Sequence, residues 1–126
     1  MVPDYPPFSP FWSGGPKVNP VRNAFELARF SPEKLVKLTL HEDNRLLLGL
    51  NCLEPGQSQP AHAHAGADKF YYVVAGRARF VVGDATVEAG AGDVVLCPAG
   101  VSHGIETALE RTTLLVGIAP WKKGGS

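Results

Sequence analysis

From Lys34 to Ile118 the chain is cut into short β-forming runs by turn residues, and that punctuation narrows the folds open to it more than any other feature. Leu35 to Leu40 and Arg45 to Leu53 flank the polar turn Glu42-Asp43-Asn44, which is the pattern of a hairpin. Glu54-Pro55-Gly56-Gln57 follows, with proline and glycine where a tight turn favours them. Lys69 to Ala75 and Arg77 to Val82 flank Gly76, and Gly83-Asp84 suits a two-residue hairpin with glycine first. Val94 to Cys97, Ser102 to Thr107 and Thr112 to Ile118 complete the set. Short strands at this spacing belong to an all-β barrel or sandwich. Fourteen glycines and eleven prolines in 126 residues agree, because short strands need frequent turns.

The first part of the chain is different. Pro3, Pro6, Pro7, Pro10, Pro16 and Pro20 crowd it and leave little periodicity, which argues for an extended arm. Asn19-Pro20 suits the cap and first position of a short helix through Ala28, with Phe25 and Ala28 on one side. The expected organisation is therefore a proline-rich arm over residues 1–33 and a β domain over 34–126. With 44% hydrophobic and 19% charged residues, the chain is long enough for one core. Twelve basic and twelve acidic side chains cancel without forming a basic cluster, so neither nucleic acid nor an anionic membrane has an electrostatic handle. No apolar stretch approaches the roughly 20 residues needed to span a bilayer, and Met1 to Pro7 lack the basic and apolar parts of a secretion signal. A cytoplasmic location is expected. Cys52 and Cys97 are too few for a disulfide scaffold and are expected to be small buried hydrophobes, with Cys97, beside Pro98, the one placed to report on a pocket.

His62 and His64 carry the strongest chemical signal. Residues i and i+2 of a strand project from one face, so these two point together, and His103 ends the run Pro98-Ala99-Gly100-Val101-Ser102-His103. Imidazole is the commonest side-chain ligand of transition metals, whereas buried histidines with nothing to bind become a desolvation cost. A His-x-His pair alone is weak, since surface strands carry such pairs by chance. The fourth histidine, His41, adjoins an acidic turn and is expected to be solvated.

The neighbourhood of the pair gives it weight. Gly56, five residues, His62, one residue and His64 lead to Gly76 at the end of Phe70-Tyr71-Tyr72-Val73-Val74-Ala75. A second block runs Gly92, five residues, Pro98, one residue, Gly100, two residues, His103, and fifteen residues, Arg77 to Ala91, separate the blocks. In these two motifs and their spacing, over roughly residues 36–119, the chain closely resembles the cupin superfamily, in particular its small single-domain microbial members. The resemblance implies an all-β fold, a small antiparallel β-barrel or double-stranded β-helix of jelly-roll type. It also implies one divalent transition metal per chain (Fe, Zn, Ni, Mn or Cu), held by His62, His64, His103 and a motif-one glutamate.

The glutamate is missing. Counted back from Gly76, the position at which the family carries it holds Lys69, and Asp68 is next to it. Counted forward from His64, either residue is allowed. The intervening residues form one strand in which a one-residue slip reverses every side chain, so Lys69 and Tyr71 are expected to face inward and Asp68 outward unless a bulge re-aims it. An ammonium about 4 Å from a divalent ion is repelled by about 8 kcal/mol at an effective dielectric of about 20. Lys69 is expected to swing its stem away and pair with a carboxylate such as Asp68 or Glu106, leaving a three-histidine site completed by water; the alternatives are a neutral Lys69 acting as a base and a site that is metal-free as purified.

Three histidines leave coordination positions open, as a catalytic site requires. Cupins without the glutamate include three-histidine dioxygenases of thiols and diketones, which makes such chemistry the leading expectation. A non-catalytic small-molecule-binding or sensing barrel is the alternative, as is an isomerase using Lys69 as proton carrier. Lys69 and Tyr71 are the expected substrate-pocket residues, with a small organic molecule as partner. Outward-facing Phe70, Tyr72 and Val74 would expose an apolar strip, so a homodimer with exchanged arms or paired sheets is expected. Trp12 and Trp121 are expected on the outside of the barrel or against the partner subunit.

Overall fold

The computed structural model describes residues 20–125. Nine strands follow one short helix: α1 (Ala24–Leu27), β1 (Val36–Glu42), β2 (Leu47–Leu53), β3 (Gln59–His62), β4 (Asp68–Ala75), β5 (Arg77–Val82), β6 (Ala85–Gly90), β7 (Val94–Cys97), β8 (His103–Ala108) and β9 (Thr112–Ala119). They form a five-stranded sheet, β1-β2-β9-β4-β7, and a four-stranded sheet, β3-β8-β5-β6, in which neighbouring strands run antiparallel. The two ladders remain separate, and the result is a jelly-roll-like sandwich of the double-stranded β-helix kind. Among the described residues no helix is long and apolar enough to cross a membrane.

The expected turns are present. Asp43 Oδ1 accepts from the amides of Arg45 (2.8 Å) and Leu46 (2.9 Å), closing the β1–β2 hairpin from its own side chain. Gly83, at φ +57°, opens the two-residue link between β5 and β6. Gly76 allows nothing else: its φ is +88°, and a Cβ there would stand 2.2 Å from the Arg111 carbonyl oxygen.

The inward faces pack across the sandwich. Leu53, Tyr71, Val73 and Leu114 of the larger sheet meet Ala78, Phe80, Ile105 and Ala108 of the smaller one, all 2% exposed or less. Tyr71 and Phe80 touch across the gap at a centroid distance of 5.1 Å, a geometry worth roughly 0.5–1.5 kcal/mol beyond area burial. Cys52 and Cys97 are free and buried. Burial pushes the Cys97 thiol up to about 11, so the inert reading of that residue suits its surroundings.

The start of the chain differs from expectation. The helix is capped by Asn23, whose Oδ1 accepts from the amides of Phe25 (3.0 Å) and Glu26 (3.1 Å); Asn19 lies outside the described residues. Phe25 is 71% exposed, so the helix does not bury the expected Phe25 and Ala28 face. Residues 29–31 nonetheless hold to the sandwich. The Arg111 guanidinium lies 4.0 Å from the Phe30 ring centroid, and Gln57 Nε2 donates to the Ser31 carbonyl at 2.7 Å. Trp12 also lies outside the described residues.

Candidate metal centre

His62 and His103 are a direct cross-strand pair of β3 and β8, and ladder geometry alone sets their rings side by side at a centroid distance of 4.6 Å. Gly104 permits the close approach, since a Cβ there would stand 2.8 Å from the Gln59 carbonyl oxygen and 2.9 Å from the Ala61 backbone. His64 joins by a different route from the one its spacing suggested. β3 ends at His62, so strand period does not carry His64. The loop does: the Gly100 amide donates to the His64 carbonyl at 3.0 Å, fastening the two motifs together, and the His64 ring stands 4.9 Å from His62 and 5.5 Å from His103.

One nitrogen from each of the three rings lies within 4.8 Å of the others. Nδ1 of His62 is 3.1 Å from the Pro60 carbonyl, and Nδ1 of His103 is 3.0 Å from the Val101 carbonyl. A carbonyl only accepts, so each Nδ1 donates, and it is Nε2 that carries the lone pair of the neutral ring, the arrangement in which metal-binding histidines are held. His103 Nε2 is buried with no hydrogen-bond partner. Such an orphan costs about 1–3 kcal/mol, and a metal ion would relieve it. Burial is the main force holding the His103 imidazole down to about 4, and it is helped by Lys69 and the two other histidines against the pull of the Val101 carbonyl. The imidazole is neutral and ready to ligate at neutral pH, so these residues fit a divalent transition metal by nitrogen chemistry and by tautomer.

Position 69 faces inward. Lys69 is 5% exposed while its neighbour Asp68 is exposed, with Oδ1 accepting from the Ala99 amide at 2.9 Å. The expected escape of Lys69 to a carboxylate does not occur. Glu106 is engaged by Arg79 at 3.9 Å, and none of the ion pairs among the described residues includes Lys69. Its stem follows the cavity wall, and Nζ rests 4.6 Å from the Tyr71 ring centroid, where the π face replaces part of the lost hydration. Desolvation above all, and then Lys37, lowers the Lys69 ammonium to about 8.

A cavity of about 480 Å³ opens beside the histidines. His62, His64 and Lys69 line it together with Lys37, Asn51, Gln59 and an apolar wall that includes Leu47, Val116 and Ile118. Tyr71, expected in the pocket, stands behind its wall: it is fully buried, is absent from the lining, and donates its hydroxyl to Gln59 Oε1 at 2.6 Å. Gln59, which accepts from that hydroxyl, lines the cavity in its place. Strand alternation from His62 would point Pro60 inward, but a register irregularity between Gln59 and His62 brings Gln59 in, and nothing in the sequence marks that bulge. Trp121 is a second correction. It also lines the cavity, not the outside, and its Nε1 donates to Glu42 Oε2 at 2.8 Å. His41 is exposed and bound to Asp43 at 3.0 Å, outside the cluster.

Known proteins share this frame. The cupin domain family matches residues 49–116. An uncharacterised protein of Streptomyces coelicolor is 33% identical over 101 residues, covering 77% of this chain and 95% of its own length. The crystal structure of TT1209 from Thermus thermophilus superposes with a TM-score of 0.76 at 35% identity, covering 80% of this chain and 97% of that one. An RmlC-like cupin protein from Desulfovibrio desulfuricans gives 0.73 at 30% identity, over 79% and 95%. The two histidine blocks, the sandwich that brings them together and these relatives agree: the chain belongs to the cupin family.

Proposed function

We propose that His62, His64 and His103 hold one divalent transition metal ion per chain, and that the adjoining cavity presents a small organic substrate to it. The observation that carries this reading is the pair of Nδ1-to-carbonyl bonds at His62 and His103, which hold both rings with Nε2 free to ligate. With no carboxylate in the cluster, three protein ligands leave positions open, and the bound ion would supply Lewis-acid or redox chemistry there, three-histidine dioxygenase chemistry being the form favoured here. The chain's own residues do the rest. Leu47, Val116, Ile118 and Trp121 exclude water from one side of the cavity, and Gln59 and Lys69 present N–H groups from another.

Metal analysis of protein purified without added metal should find about one transition-metal ion per chain. Changing His62 and His103 together to Ala should abolish it, and full occupancy in that double variant would overturn the assignment. Aerobic incubation of the Fe(II)-loaded protein with thiols and diketones should consume a member of one class. Tight binding without turnover across the panel would mark a ligand-binding barrel instead.

We also propose a homodimer through the outer face of the larger sheet. Phe70 and Leu96 pair there, as do Tyr72 and Val94, and Val94 (53%) and Leu96 (69%) are among the most exposed apolar residues. A monomeric mass in solution would remove this proposal.

A further inference from the structure

The cavity beside the histidines carries positive charge with nothing opposite it. Two lysines, Lys69 and Lys37, line it, and no aspartate or glutamate does. Lys69 is 5% exposed, and a buried ammonium without a counter-charge is strongly unfavourable; its contact with the Tyr71 ring offsets that only in part.

A second unmatched donor belongs to the same wall. Gln59 is 5% exposed, its Oε1 is occupied by the Tyr71 hydroxyl, and its Nε2 is buried with no hydrogen-bond partner. With Oε1 set against the Tyr71 hydroxyl, the NH₂ group is the end of the amide left without a partner. Tyr71 thus positions both donors, Lys69 over its ring and Gln59 at its hydroxyl. A buried ammonium and a buried amide N–H, with no acceptor supplied by the protein, describe a site for an anion. One side of the wall, formed by Leu38, Leu47, Val116, Ile118 and Trp121, is apolar and suits an uncharged body, which leaves the charge of the ligand to the end at Lys69 and Gln59.

We infer that the substrate or ligand of this cavity is a small monocarboxylate with an apolar body, its carboxylate accepting from Lys69 Nζ and Gln59 Nε2 while the body lies along Leu47, Val116, Ile118 and Trp121. The inference rests on the cavity being the substrate site proposed above. It also explains how an ammonium tolerates the neighbourhood of a metal ion: a carboxylate placed there offsets the charge of Lys69 and lowers its repulsion from the ion.

Calorimetric titration of the full-length protein with hexanoate and with hexanamide, a pair of nearly equal size, tests the charge. The wild type should bind the acid roughly tenfold or more tightly than the amide. Lys69→Met should lose that preference, and Gln59→Leu should reduce it several-fold and serves the same purpose should Lys69→Met not fold. The double variant His62→Ala, His103→Ala should keep the preference, so a failure of the metal reading leaves this result intact. Equal binding of acid and amide, binding of neither, or a wild-type preference surviving in Lys69→Met or Gln59→Leu would overturn the inference. A preference that survives in Lys69→Met and disappears in the double histidine variant would place the carboxylate on the metal.

Discussion

The space between the two sheets has two unlike parts. Around Phe80 it is dry: Leu53, Val73, Ala78, Ile105, Ala108 and Leu114 close on one another with at most 2% exposure. Around the histidines the same sheets bury Lys69, Gln59, Asn51 and His103, and two of these, Gln59 and His103, keep polar atoms with no partner. Native proteins rarely tolerate such orphans, and each lowers stability. The dry part supplies the stability against which the polar part is held open for chemistry. Tyr71 belongs to both, with its ring on Phe80 and its hydroxyl on Gln59.

That division can be broken or sharpened by substitution. The largest effect is expected from the double change of His62 and His103 to Ala, which should take metal content from about one ion per chain to none while the metal-free unfolding midpoint in urea moves little. A large loss of midpoint would show that the polar part also carries the fold. Next comes Phe80→Ala, which should cost about 3–5 kcal/mol in urea unfolding and leave the metal stoichiometry of the folded fraction unchanged. Loss of metal at native occupancy of the fold would mean that the two parts are not separable.

A smaller, pH-dependent effect is expected at Lys69. Its folded-state value of about 8 lies below the unfolded value of 10.5, so between these limits the unfolded chain binds more protons and stability rises with pH. Below about 8 both states are protonated and the cost of burial is fully present. In metal-free protein the stability gap between Lys69→Met and wild type should therefore be widest at neutral pH and shrink toward pH 10. Comparing the two proteins also reduces the opposing contribution of Cys97, whose thiol is held up to about 11 and disfavours the folded state as pH rises above 9. A gap that does not change with pH would mean that Lys69 is solvated. The smallest effect is expected from Tyr71→Phe, which keeps the ring against Phe80 and frees Gln59 Oε1. It should cost roughly 1–2 kcal/mol and weaken ligand binding without altering metal content. Loss of metal would bring Tyr71 into the coordination shell.

Much of the fold was legible because strand signals are local. β1, β2, β4, β5, β7, β8 and β9 fall where short apolar runs lie between turn residues, within a residue or two at their ends. β6 (Ala85–Gly90) was implied only as the far arm of the Gly83-Asp84 hairpin, because an edge strand exposed along Ala85–Glu88 has no apolar face to announce it. The inward setting of Lys69 followed from the two-residue period of an uninterrupted strand counted from Gly76, and the outward setting of Asp68 followed with it.

What the chain determines by itself is therefore the all-β architecture, the three histidines and the missing carboxylate, since each is written in residue identity and short-range spacing. Tertiary structure alone decided where Lys69 rests, which residues line the cavity and how the rings are held. Lys69 lies on Tyr71 instead of reaching a carboxylate: it is buried facing inward, whereas Asp68 and Glu106 are exposed, with Ala99 and Arg79 as their partners from other strands and loops. Gln59 turns inward through an irregularity in its pairing with β8, and Trp121 reaches the cavity from beyond the end of β9. These outcomes depend on contacts between segments distant along the chain, and a strand's own period carries no information about them.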